Sequence, residues 1–301
     1  MLDVMLINAA PRPVPATRTF ARPTDQANHA SVPDPDWQAA QALRQFALKT
    51  PAQDWAVQAH DLGKKYSIHS GSDIESLYTT AAAVAGSEPA AEAARLTGVE
   101  FDNNYSEASS AIFTLAAAIA GDRPLAEAAF AQAQRWMGDA QPADRALMMA
   151  AAALSPDPEK LEWAAATARS FGADSNRARA LFTAACVVAG DDDKVGEAFR
   201  TARSWNRGDL DQNCALFMLA YCVAESPEEA HEIGLMGNER TVALRTLAAA
   251  IAGDRASAEK AYRMGNEFDH QNGEESSARF MVGVAAALNP TNRKFALVYP
   301  Q

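Results

Sequence analysis

Four arginines, Arg145, Arg179, Arg245 and Arg279, stand near the starts of successive apolar runs and are the residues of this chain best placed to bind something specific. Such a row could grip an acidic segment, because each guanidinium presents fixed, forked donors to a carboxylate or phosphate. The positive end of a helix dipole makes a cation there slightly unfavourable. The competing account is local pairing with Asp144, Asp174, Glu239 and Glu275, worth little at a surface. We take the four arginines as the candidate binding residues.

Other chemistry is sparse. Asp191, Asp192 and Asp193 are three consecutive carboxylates without the spacing of a calcium loop, and one of them is expected to cap a helix starting near Lys194. His29, His60, His69, His231 and His270 are scattered and form no H-E-x-x-H pattern. Neither a Gly-x-Ser-x-Gly elbow nor a Cys–His nucleophile signature appears. Gly63-Lys64-Lys65 lacks the upstream glycine and the strand of a phosphate loop. Cys186, Cys214 and Cys222 lie inside apolar runs without C-x-x-C spacing and read as reduced core residues. The expectation is therefore no catalytic residue, no metal and no cofactor.

Composition narrows the partners. The 301 residues are 48% hydrophobic and 22% charged, and the net charge of -11 disfavours nonspecific contact with a phosphate backbone. No nucleic acid is expected. The N-terminus lacks a basic region and its apolar stretch is broken by Asp3 and Asn8, so no Sec-type signal is expected. No run approaches the roughly 18 apolar residues that suggest a membrane span. The expected location is cytoplasmic, or outside the cell by a route without a cleaved signal peptide.

The elements that would carry these residues are helices. Residues 1–33 hold Pro11, Pro13, Pro15, Pro23 and Pro33 without any period and read as a flexible tail; residues 34–301 read as one all-α repeat domain. Tyr66, Phe101, Trp136, Phe171 and Trp205 are separated by 35, 35, 35 and 34 residues, and Phe268 follows after one shortened interval. Thr50, Gly86, Gly121, Ser155, Gly190, Glu225, Gly253 and Asn289 each end an apolar run. Glycine there supplies a left-handed C-cap, and Thr50-Pro51, Ser226-Pro227 and Asn289-Pro290 supply a cap followed by a first-turn proline. Each unit is thus a helical hairpin. The helix before the turn is apolar nearly all round and the helix after it amphipathic, which predicts an inner and an outer layer. Counting turns gives eight units, the last one truncated.

The pattern Gly121, Ala126, Phe130, Ala133 resembles the tetratricopeptide repeat, and Gly190, Phe199 and Ala202 fit the same frame with Val195 in the first alanine slot. Gly253, Ala258 and Tyr262 fit with Gly265 in the last slot, whereas the Trp and Leu-Gly of that family's first helix are absent. The resemblance implies a right-handed α-solenoid of about seven to eight hairpins whose concave face holds a peptide or a partner's helix. It implies a non-catalytic adaptor. A proline-rich tail before an acidic, Ala-rich repeat domain is also similar to bacterial effectors exported by needle-type systems. The alternative is an enzyme built as a closed α/α toroid with carboxylates in a central cavity.

The aromatic ladder has two readings. It is either a row of exposed stacking residues or, in the reading adopted here, a set of plugs that close the end of each outer helix against the next inner one.

Overall fold

A computed structural model describes residues 51–299 other than His69, Asn104, Tyr105 and Asp209. The tail expected at residues 1–33 and the first apolar run lie outside the described residues. Fourteen α-helices follow one another: α1 Pro51–Tyr66, α2 Ser72–Ala85, α3 Glu88–Asp102, α4 Glu107–Ala120, α5 Arg123–Met137, α6 Pro142–Ala153, α7 Pro158–Ser170, α8 Asn176–Ala189, α9 Asp192–Trp205, α10 Asp211–Val223, α11 Pro227–Gly234, α12 Glu239–Ala252, α13 Arg255–Phe268 and α14 Glu274–Leu288. A 3-10 turn, Arg293–Phe295, ends the regular structure, and no strand occurs among the described residues.

The glycine turns are those the sequence predicts, whereas Ser226 opens α11 without a side-chain cap hydrogen bond and Thr50 lies outside the described residues. Gly86, Gly121, Gly190 and Gly253 cap α2, α4, α8 and α12 with φ between 79° and 87°, a conformation strained for any residue with a Cβ. Asp122, Asp191 and Asp254 then accept the N–H groups of Leu125, Lys194 and Ser257 and open the next helix. With two to five residues between consecutive helices, neighbours in sequence are antiparallel, so all even-numbered helices run parallel.

Burial separates the layers. In α2, α4, α8 and α12 nearly every position is enclosed, whereas α9 buries only Val195, Ala198 and Ala202, and α13 only Ala258, Ala261 and Gly265. The spacing i, i+3, i+7 is a single helical stripe. Small residues on that stripe let the layers approach closely: a Cβ at Gly98 or Gly265 would collide with the backbone of Thr114 or Met281.

The array does not stay open. α14 packs against α2 as closely as α2 packs against α4, so the seven even-numbered helices form a closed ring inside the odd-numbered ones. α1 lies between α14 and α2 in the way that α13 lies between α12 and α14. Arg279 of α14 pairs with Asp73 of α2, 206 residues away. The helices thus pack in neighbouring pairs as a repeat array does, and among the described residues α2 and α14 are in contact rather than apart as at the ends of an open superhelix.

The aromatic ladder follows the closure. Phe101 stacks on Phe130 at 4.4 Å, Phe171 on Phe199 at 4.1 Å and Trp205 on His231 at 4.3 Å, each reaching the next outer helix. Phe268 makes the corresponding stack with His60 at 4.0 Å, which carries the belt from the last outer helix to the first. Phe171, Trp205 and Phe268 also meet Phe182, Phe217 and Phe280 of the following inner helix. The ladder is thus packing between units.

The eighth unit has no outer helix. Asn289, expected to cap one, donates its side-chain amide to the Ile251 and Ala252 carbonyls at 2.9 and 3.4 Å. The chain then turns into the ring. Ala296, Leu297, Val298 and Tyr299 are 0%, 1%, 0% and 1% exposed and belong to the same core as the inner helices.

Candidate functional site

All inner helices begin at one end of the ring, where their positive dipole ends gather. Three arginines stand there. Arg177 of α8 pairs with Asp144 of α6 at 3.4 Å, Arg240 of α12 with Glu275 of α14 at 2.6 Å, and Arg279 with both Asp73 and Glu275. Each acid except Asp73 is less than 15% exposed, and Arg279 is fully enclosed. The pairs join neighbouring inner helices and so clamp the ring.

Tyr299 sits among them. The guanidinium of Arg240 lies 4.6 Å and that of Arg177 5.3 Å from its ring centre, within cation–π range. Arg240 also reaches the Tyr299 carbonyl at 3.5 Å. Burial pushes the phenol up, so it stays protonated at neutral pH. At the opposite end the guanidinium of Arg293 lies against Gly86, the C-cap of α2. Arg293–Phe295 is a 3-10 turn and Ala296–Tyr299 continues from it toward the arginines. The segment 293–299 thus runs from the Gly86 end toward the arginine end, with Ala296–Tyr299 enclosed in the core.

The four arginines singled out from sequence do not form one row. They lie 10, 11, 8 and 10 residues before their turns at Ser155, Gly190, Gly253 and Asn289, so equal spacing along the chain does not give equal register. Arg179 is exposed and donates to the Ala173 carbonyl at 3.2 Å, and Arg145 is half-buried. Arg279 is held in the clamp. Arg245, 6% exposed, donates to the Met236 carbonyl and covers Tyr262 at 5.2 Å. The expected pairing with Asp174 and Glu239 does not occur: Asp174 donates its own N–H to Asp211, and Glu239 accepts from Gly208.

The shortened interval in the repeat falls at α11. α11 is only eight residues long and ends before a ladder aromatic could appear. The guanidinium of Arg245 lies on Tyr262 of the next outer helix, where the other units place a ring.

Two features escaped the sequence reading. Asp102 accepts from Ser109 and Ser110, each at 2.5 Å, and Asp269 accepts from Ser276 and Ser277 at 2.7 and 2.8 Å. The serines follow their aspartate by 7 and 8 residues in both cases, so the signal was a repeated ladder-aromatic-Asp followed by Ser-Ser. Recurrence in two units marks these networks as loop caps. The second feature is Glu75, 5% exposed, with His60 at 3.5 Å and His270 at 3.9 Å across the closure. Burial raises its carboxyl above the usual range.

The three thiols are enclosed as expected, and burial pushes Cys186 and Cys222 up to about 12 and Cys214 to about 11. No cluster of His, Cys, Asp or Glu among the described residues could hold a metal ion, and no described helix is long and apolar enough to cross a membrane. No family model matches the chain, no curated protein matches it, and no solved structure matches it.

Proposed function

We propose that this chain is a non-catalytic protein-binding scaffold, a tetratricopeptide-like array bent into a ring, which engages a partner on its outer surface. Its interior is occupied by its own segment Ala296–Tyr299. The observation that carries the reading is the break in the outer layer at α11. There Ile233, Met236, Tyr262 and Met281 line a hollow of about 460 Å³. Leu235 and Met236 beside it are 52% and 51% exposed. Exposed, adaptable apolar side chains around a hollow suit a partner's large apolar residue. The rim, Glu232, Arg255, Glu259 and Arg263, carries both signs of charge.

Substituting Met236→Glu should abolish capture of one specific protein that the wild-type chain retains, with the melting temperature unchanged. Identical captures by the two proteins would reject the outer hollow. Export as a bacterial effector is a further part of this proposal, and a secretion assay on a reporter fused to residues 1–33 tests it.

Closure of the ring favours a second reading, an enzyme on an α/α toroid. Its reactants would meet the charged end where Asp73, Asp144 and Glu275 face three arginines. A rise in melting temperature with a sugar or an isoprenoid diphosphate, kept in Met236→Glu, would favour this reading over the scaffold.

A further inference from the structure

The inner helices α2 and α4 stop at Gly86 and Gly121, and the outer helices α3 and α5 leave from those turns at once. A cleft of about 460 Å³ opens there, floored by Val84, Ala94, Ala117, Ile119 and Ala126. That volume lies in the range of about 300–1,000 Å³ usual for small-molecule sites.

The edge of the cleft is cationic. Arg123, Arg293 and Lys294 border it, and Asp122 is the single acid among its lining residues. Asp122 is committed as the N-cap of α5, accepting the Leu125 N–H at 2.9 Å, and Arg123 is paired with Glu100 and Glu127. The other two cations differ. The Arg293 guanidinium lies against Gly86 and the Lys294 ammonium 5.4 Å from the Phe295 ring centre, and no described carboxylate lies within 4.0 Å of either. Helix dipoles do not decide the sign of this site, because each turn sets the negative end of one helix beside the positive end of the next. The side chains decide it. In a chain of net charge -11, two neighbouring cations without an acid make a local positive field at the mouth of an apolar floor.

The lining also selects what can lie on that floor. Thr97 donates its hydroxyl to the Ala93 carbonyl at 2.9 Å, and the floor otherwise ends in methyl groups. A peptide amide buried there would lack partners and be penalised, whereas an alkyl chain needs none. A guanidinium fork beside an ammonium matches a carboxylate.

We propose that the cleft between α3 and α5 binds a small amphipathic carboxylate, its alkyl chain on the alanine floor and its head on Arg293 and Lys294. This goes beyond the scaffold reading, since the cleft and the hollow at α11 share no residue.

Calorimetric titration of the full chain with dodecanoate, below the concentration at which it forms micelles, tests it. One saturable site is expected, with affinity falling about fourfold for each methylene removed from the chain. Dodecanol, uncharged and of equal length, should bind about tenfold more weakly. Replacing both cations, Arg293→Gln with Lys294→Gln, should weaken dodecanoate about tenfold and leave dodecanol unchanged. Ala93→Phe, at an exposed position on the wall, should fill the cleft and abolish binding of both. The chain-length and alcohol comparisons need no variant, and an unchanged melting temperature of the free variants shows the fold intact. Met236→Glu should bind dodecanoate as the wild type does, so this site and the hollow stand or fall separately. Absence of saturable dodecanoate binding, or equal affinity in the double glutamine variant, would overturn the proposal. Tighter binding of an apolar tripeptide with a free carboxylate than of dodecanoate would assign the cleft to a partner's C-terminus and overturn it equally.

Discussion

Burial pushes the His60 imidazole down to about 4, with Lys64 and His270 adding in the same direction. Its folded value lies below the unfolded one of about 6.5, so the folded protein binds fewer protons than the unfolded chain across that interval. The stability it contributes is nearly complete above pH 6.5 and is lost as pH falls toward 4, by about 3 kcal/mol at about 1.4 kcal/mol per pH unit. His231, also lowered by burial, acts with the same sign. Glu75 opposes both, because its raised carboxyl penalises the folded state at high pH and relaxes as it protonates. Asp269, the other nearby acid, is held below the usual range by Ser276 and Ser277 against the opposing effect of burial. The melting temperature should fall between pH 6.5 and 4, and His60→Phe, which keeps a ring on Phe268, should flatten that fall. A variant that tracks the wild type through this interval would remove His60 as the cause. The histidines illustrate what sequence could and could not give at this scale. The sequence shows no metal-ligand spacing around the histidines, and the role of His60 in the belt depends on a neighbour 208 residues away.

Pairs of helices were the most legible level, because the information is local. Gly86 and Gly121 end α2 and α4 through their own backbone freedom, and Asp122 opens α5 through its own side chain. The unequal register of the arginines has a local reason too: a count of residues between Arg145 and Arg179 ignores that their turns are not equally distant. The contact between layers makes a sharper prediction. A Cβ at Gly98 would press into the Thr114 backbone, so Gly98→Ala should separate α3 from α4 and cost about 1–3 kcal/mol. Gly196, inside the outer helix α9, has nothing within 4 Å of its Cβ position. Gly196→Ala should raise stability by about 0.5–1 kcal/mol through the unfolded chain and helix propensity. Urea midpoints that move the same way for both variants would remove close layer contact as the reason for glycine on the stripe.

The ring itself was not legible, because no period in the sequence records how much each hairpin turns relative to the last. Closure depends on the sum of those small rotations, and its visible consequences, Arg279 on Asp73 and Phe268 on His60, join residues from opposite ends of the chain. An open array frays from its terminal repeats, since each unit contacts only its neighbours. A closed one has no terminal repeat, so amides of α2 and α14 should exchange as slowly as those of α8. Removing one partner of an enclosed ion pair costs about 3–5 kcal/mol, and Arg279 is wholly enclosed. Arg279→Ala should therefore reopen the seam: protection should drop first in α2 and α14 and persist in α6 and α8. The released segment Ala296–Tyr299 should lose protection with α14, because its interior path requires the seat of α14 to be filled. Exchange in the wild-type protein that is already faster in α2 and α14 than in α8 would mean that the end-to-end contact contributes little in solution, and the molecule would then behave as the open solenoid its repeat pattern suggests.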